Sequence, residues 1–203
     1  MGISKRMRLL SWTKQVVVLT FIVWVMGCQI GPSITPSHLA NYRELLDFSG
    51  LGPEERIDAI KVSVSPPKDW TVLPLQKGPL YTHQQWKSPS GACGVGTVYV
   101  RMPLPFSANT LVWLAKKEYS KRSSEGRIIA EWTDELGRPW FEAENSQFHV
   151  RGYAMTDGFD AWIVYCGSRA GRQARPGELT LAARSAETII PIKNPTASRA
   201  SIN

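Results

Sequence analysis

The residues with the most chemical capacity sit close together in the second half of the chain. Glu142 and Glu144 lie two apart in GRPWFEAEN, and His149 and Arg151 lie two apart in QFHVRGYAMT. Residues two apart share one face of a strand. Two short strands joined at Asn145-Ser146 are expected to pair antiparallel. The four side chains then meet on one face, two carboxylates opposite an imidazole and a guanidinium. An imidazole beside a carboxylate can move a proton, and a guanidinium can hold an anion. The same four residues can equally be cross-strand ion pairs on a sheet surface. No Ser stands in Gly-x-Ser-x-Gly and no nucleophile–base pair is evident, so no catalytic residue is assigned. His38, His83 and His149 form no HExxH or HxH pair, so no metal or other cofactor is expected.

The chain has three cysteines, Cys28, Cys93 and Cys166. Cys28 ends a hydrophobic run and is treated below. Cys93 and Cys166 remain, both in expected strands and neither in a CxxC pair. In an oxidising compartment they are a candidate disulfide. It would close a loop of about 70 residues, worth about 4 kcal/mol on loop entropy. The alternative is two separate buried thiols acting as small hydrophobes. GACGVG, residues 91 to 96, has the glycines of a phosphate loop but leads into a strand and lacks Gly-Lys-Ser/Thr. Close strand packing is its better explanation. Trp70, Trp86, Trp113, Trp132, Trp140 and Trp162 could stack on a sugar or grip a partner, or fill a core. Trp86 and Trp140 have polar neighbours in sequence, so exposure is to be sought there first.

These residues need a scaffold. The helical spacing of Leu39, Tyr42, Leu45, Leu46 and Phe48 predicts a helix in HLANYRELLDF, capped by Ser37. PEERIDAI, opened by Pro53, predicts a second short helix. From Lys61 the pattern alternates as in strands: KVSVS, TVLPL, LYTHQQWKS, and CGVGTVYVRM over residues 93 to 102. ANTLVWLAKKEYSKR places Leu111, Leu114, Ala115 and Tyr119 on one helical face. RIIAEWTDE, RPWFEAEN, QFHVRGYAMT and FDAWIVYCGSR read as four strands joined by Leu136-Gly137, Asn145-Ser146 and Asp157-Gly158, hence an antiparallel meander. GELTLAARSAETII predicts a last helix with Leu179, Ala182, Ala183 and Ala186 inward, stopped by Pro191. The fold class is α+β, a largely antiparallel sheet with helices packed on it. Trp162, Val164 and Cys166 on one parity, and Ala161, Ile163 and Tyr165 on the other, predict helices on both faces.

The 203 residues carry a formal charge of +7. Lys5, Arg6, Arg8 and Lys14 account for much of it, since removing those four from 24 basic residues leaves 20 against 17 acidic ones, a net of +3. That balance argues against nucleic acid as a partner. The basic segment is followed by VVVLTFIVWVMG, residues 16 to 27. This is the length of a signal-peptide core and short of the roughly 20 apolar residues that a spanning helix needs.

Val25-Met26-Gly27-Cys28 resembles the bacterial lipobox, with Met26 a less usual residue at its place. The resemblance implies cleavage between Gly27 and Cys28 and a diacylglyceryl group on the Cys28 sulfur, with several acyl chains giving stable anchoring. It implies a signal peptide over 1–27, a lipidated tether over 28–37, one domain over 38–191 and a flexible tail over 192–203. The implied place is the cell envelope, facing the periplasm or exterior. Gln29 in place of Asp favours the outer membrane where there is one. Over residues 61 to 191, VSVSPPKDW, GRPWFEAE and ARSAETII in this layout resemble the PsbP-like α/β/α sandwich, whose members include binding and assembly factors. That implies a fold and no site residues. The expected function is a non-enzymatic binding, assembly or envelope-maintenance lipoprotein with a protein partner in the envelope. The alternatives are an extracytoplasmic hydrolase using the Glu142, Glu144, His149 and Arg151 cluster, or a carbohydrate-binding module using exposed Trp.

Overall fold

A computed structural model describes residues 49–122 and 126–192. The lipobox, Cys28, the tether, His38, the helix expected over HLANYRELLDF and nearly all of the expected tail lie outside the described residues.

The main sheet is built from eight strands in the order β3-β5-β6-β10-β9-β8-β7, with β4 also pairing β5. They are β3 (Thr71–Val72), β4 (Gln76–Lys77), β5 (Tyr81–Lys87), β6 (Cys93–Arg101), β7 (Arg127–Thr133), β8 (Pro139–Glu144), β9 (Phe148–Asp157) and β10 (Asp160–Arg169). Every pairing is antiparallel, and β7 to β10 form the expected meander. Gly158 (φ 59°) and Gly137 (φ 74°) stand in two of the three turns of the meander, where a left-handed backbone suits glycine. A bulge between Ile128 and Ala130 interrupts β7 at the sheet edge, as edge strands often show.

Helix α1 (Ala108–Arg122) and helix α2 (Glu178–Glu187) cover opposite faces. Ser107 caps α1, its Oγ accepting from the Thr110 N–H at 3.1 Å, which satisfies one of the open amides of the first turn. Leu111, Val112 and Ala115 of α1 pack with Phe141, Ala143, Ala154 and Ala161. Ala182, Ala183 and Ala186 of α2 pack with Cys93, Val95, Trp162, Val164 and Cys166. The small side chains of α2 let its backbone lie close to the sheet, close enough for the Tyr153 hydroxyl to donate to the Ala186 and Ile189 carbonyls at 2.7 and 3.0 Å.

Two expectations are corrected. PEERIDAI is not a helix. It forms strand β1 (Glu55–Ile57) and a 3-10 turn (Asp58–Ile60), after which Lys61 adopts a left-handed φ of 52° and leads into β2 (Val62–Val64). Eight residues are too few to sustain a helix without packing, and pairing of β1 with β2 gives this backbone its partners. Pro191 does not simply stop the last helix. Ile190–Pro191 is a strand, β11, that pairs the other side of β2 in a three-stranded sheet. At an edge, the missing N–H of proline costs no ladder bond. Ile192 belongs to this sheet as well, donating its N–H to the Lys61 carbonyl at 2.9 Å.

The small sheet is joined to the large one by Trp162. Its indole Nε1–H donates to the Ile60 carbonyl at 2.7 Å, and Ile60, Val62 and Val64 pack in the same core. Trp162→Phe keeps most of the packing and strips the Ile60 carbonyl of this buried donor. We expect a loss of about 1–3 kcal/mol, read by urea denaturation. An unchanged midpoint would mean that packing alone holds the joint.

Candidate functional site

The expected polar cluster forms, but around one carboxylate. Glu142 lies opposite Arg151 and Glu144 opposite His149 across β8 and β9. His149 nevertheless reaches diagonally, its Nε2–H donating to Glu142 Oε1 at 2.6 Å. Arg151 Nη2 lies 3.5 Å from Glu142 Oε2. Glu144 turns instead to Arg127 on β7 and is paired there. The structure thus brings together Glu142, His149 and Arg151, and assigns Glu144 to a separate surface pair.

This triad is interior. Glu142 is 7% and His149 4% exposed. Burial alone would raise the Glu142 carboxyl. The His149 hydrogen bond and the nearby Arg151 charge outweigh it and hold the group below its usual value. Arg151 also lies over the Trp132 ring at 5.0 Å. Trp132 stacks on Trp140, Trp140 meets Tyr153, and Arg138 covers Trp140 and Tyr153 at 5.7 and 4.5 Å. Arg138 is fixed by Asp134 at 2.6 Å, which also accepts from the Trp140 indole at 2.9 Å. Both carboxylate oxygens of Glu142 are engaged, one by the His149 ring and one by the Arg151 guanidinium, which suits a stabilising network and leaves little of the group for proton transfer to a ligand.

A second histidine site was not expected. His83 on β5 is 1% exposed, and its Nε2 lies 2.5 Å from the Tyr165 hydroxyl of β10. Its Nδ1 lies 3.4 Å from Gln76 Oε1. That oxygen can only accept, so Nδ1 carries the hydrogen and Nε2 accepts from Tyr165. Burial lowers the His83 pKa to about 4 and raises that of Tyr165, so both are neutral at pH 7. Gly96 and Gly152 are the register partners of Tyr165 on its two sides. A Cβ at Gly96 would stand 2.6 Å from the Tyr165 hydroxyl and 2.9 Å from the Gln84 carbonyl oxygen. The second half of GACGVG therefore serves strand packing, as its position before a strand suggested. The first half forms the β5–β6 hairpin, where Glu178 of α2 accepts from the Ser90 N–H at 3.1 Å, from the Ser90 hydroxyl and from the Arg175 N–H at 3.0 Å.

Cys93 and Cys166 are buried free thiols in the structure, so the expected disulfide is not formed there. Cys93 lies opposite Ser168, and Cys166 opposite Val95. Diagonal neighbours on paired strands are about 7–8 Å apart, beyond the usual Cα separation of a disulfide. Burial pushes both thiols up to about 12. Trp86 and Trp140 are buried, at 1% and 5% exposure, which corrects the expectation of exposure there. Gln85 and Lys87, adjacent to Trp86, point to the other face of β5, whereas Arg138 and Glu142 share the face of Trp140 and help to cover it, Arg138 lying over its ring at 5.7 Å. Trp113 is the exposed one, on α1, with Lys117 Nζ 4.7 Å from its ring centre. Among the described residues, no group of three or more His, Cys, Asp or Glu is placed to hold a metal ion, and no helix is long and apolar enough to cross a membrane.

Two consequences are measurable. Glu142→Gln removes the buried carboxylate that lies between His149 and Arg151, and we expect a loss of roughly 3 kcal/mol at neutral pH. Because the folded-state pKa of Glu142 is depressed, its contribution is present above the unfolded value and is lost as pH falls through the folded one. The variant's acid limb should therefore be flatter in denaturant titrations. His83 acts at higher pH. Its folded pKa of about 4 lies below its ordinary 6.5, so the unfolded chain takes up the proton first. Stability is full above pH 6.5 and falls by about 3 kcal/mol towards pH 4. His83→Gln should abolish the part of that slope lying above the carboxylate range, and an unchanged slope would assign it to another group.

No protein-family model matches the chain, and a comparison with curated proteins finds no match. Several solved structures are similar to it, two of which follow. The solution structure of cyanobacterial PsbP (CyanoP) from Synechocystis sp. PCC 6803 shares 10% identity with a TM-score of 0.48, covering 72% of this chain and 95% of its own. A crystal structure from Bacteroides thetaiotaomicron VPI-5482 shares 12% identity with a TM-score of 0.34, covering 70% of this chain and 49% of its own. These likenesses concern the course of the backbone and transfer no residue role.

Proposed function

We propose that this chain is a lipid-anchored protein of the bacterial cell envelope whose α+β domain, of PsbP-like type, binds or assembles with a partner and does not catalyse a reaction. The anchor is the diacylglyceryl group on Cys28, and the outer membrane is its place where the organism has one. The observation that carries this reading is Val25-Met26-Gly27-Cys28 directly after a basic segment and an apolar run of signal-peptide length. Gly27 leaves a small side chain beside the bond to be cut. Several acyl chains on one residue then hold the protein stably, where a single chain would bind marginally.

The non-enzymatic half of the proposal is supported by where the polar groups go. Glu142 is held between His149 and Arg151, and Glu144 is paired with Arg127. His83 is closed in with Tyr165. A general base must present a free lone pair to substrate, and these groups spend theirs on one another.

Cys28→Ser removes the sulfur that takes the lipid. The variant should incorporate no labelled fatty acid and should accumulate as a longer, uncut precursor on gels. Normal maturation and retention of labelled lipid by the variant would overturn the anchor.

A further inference from the structure

The two ends of the main sheet differ in what their loops carry. At one end lie the loops 88–92, 145–147 and 170–177, which hold Ser, Pro, Gly, Ala, Asn, Gln and Arg and no large apolar residue. At the other end each connection presents one. Leu80 immediately precedes β5, Leu104 stands between β6 and α1, Phe159 occupies the β9–β10 turn, and Leu136 occupies the β7–β8 turn. Tyr81 lies opposite Val100, and Asp160 opposite Arg101. The Met102 N–H donates to the Phe159 carbonyl at 2.7 Å. Leu80, Leu104 and Phe159 therefore stand at neighbouring strand ends, and they are 41%, 63% and 51% exposed. What calls for an explanation is their segregation, since the connections at this end each expose one and the loops at the other end expose none.

The form of the surface argues for lipid over protein. The apolar side chains stand on separate loop tips, with exposed charges among them: Lys77 and Arg101 against Glu135 and Asp157. A protein interface wants a contiguous apolar centre with few charges. A bilayer boundary accepts isolated apolar tips while the charges between them stay at headgroup level. The chain outside the described residues also permits it. Twenty residues separate Cys28 from Ser49, a contour of up to about 70 Å fully extended and about 50 Å with the helix expected over 38–48, against a domain roughly 40 Å across. The tether therefore keeps no side of the domain away from the membrane.

We propose that the end of the sheet bearing Leu80, Leu104 and Phe159 rests in the headgroup–acyl boundary of the membrane that holds the anchor. This rests on the lipid-anchor reading of Cys28. The exposed charges at this end balance, so apolar insertion drives the contact and anionic lipid is not required. The polar end, with Arg172 and Arg175, then faces away from the membrane and is the side open to a partner.

The test uses the full-length lipidated chain reconstituted in phosphatidylcholine vesicles. Leu104→Cys and Ser146→Cys are each labelled with a polarity-sensitive fluorophore. The buried Cys93 and Cys166 do not compete for the reagent. The probe at 104 should shift to the blue and lose most of its emission when brominated phosphatidylcholine replaces the host lipid, in high salt as in low. The probe at 146 should show neither effect. A probe at 104 that reports water, equal quenching at both sites, a 104 signal abolished by salt, or crosslinking of 104 to 104 between two copies would each overturn the proposal. Cys28→Ser with the same probes separates the two readings. If that variant carries no lipid while the lipidated chain shows water at 104, the anchor stands and the docking falls. If it still carries lipid, the anchor reading itself falls.

Discussion

Strand β10 sets the terms for everything around it. It is central, paired on both sides, and apolar on both faces: Trp162, Val164 and Cys166 on one, Ala161, Ile163 and Tyr165 on the other. Neither face can be left to water at the usual cost of roughly 25 cal/mol per Å² of apolar surface, so both must be covered. Helix α2 and the small β1-β2-β11 sheet cover the first, and α1 covers part of the second. The antiparallel meander supplies the strands and the helices close the layers. The three-layer architecture is thus a consequence of one strand's composition.

The same constraint places the polar groups. A hydroxyl or imidazole under a covered face must find a partner inside the protein. Tyr165 does so through His83, and only because Gly96 leaves room beside its hydroxyl and ring. Tyr153 does so through the carbonyls at the end of α2. Glu142 is the costliest case, a carboxylate in the interior, and it is offset by an imidazole, a guanidinium and an aromatic stack beside them. These arrangements are mutually dependent. Removing Gly96 would disturb Tyr165, and through it the hydrogen bond to His83 Nε2. They belong to the stability of the domain rather than to an exposed reacting centre.

How much of this could be read in advance follows from the range of each interaction. The strands from β5 onward, the two helices and the two-sided burial of β10 are local patterns of period 2 or 3.6, and they are legible. Glu142, His149 and Arg151 are legible too, because one tight turn joins their strands and fixes the register. The pairing of Glu144 with Arg127 depends on β7, whose bulge shifts register by a residue, and no local pattern announces that. The His83–Tyr165 contact spans 82 residues, and its only trace in the sequence is a glycine inside a strand. Strand β1 fails for the opposite reason. It is three residues long, and Pro and acids before it imitate a helix start. Polar neighbours misdirected the reading of Trp86, since in a strand the adjacent residues describe the other face, and that of Trp140, whose polar neighbours Arg138 and Glu142 lie on its own face and are drawn inward with it.

With its faces covered, the surface such a domain can offer to other molecules lies at the sheet's edges and ends. The edge at β7 is bulged and carries ion pairs through Arg127 and Glu131, features that discourage pairing with another strand. The ends differ in kind. One presents hydrogen-bonding loops and arginines, the other leucine and phenylalanine on short rigid turns. Apolar side chains on tight turns cannot fold back into the core, so their exposure is fixed by the backbone rather than by chance rotamers. On the proposed anchor, one end is suited to lipid and the other to aqueous partners. Binding at the far end would then require no opening of the fold, only its orientation.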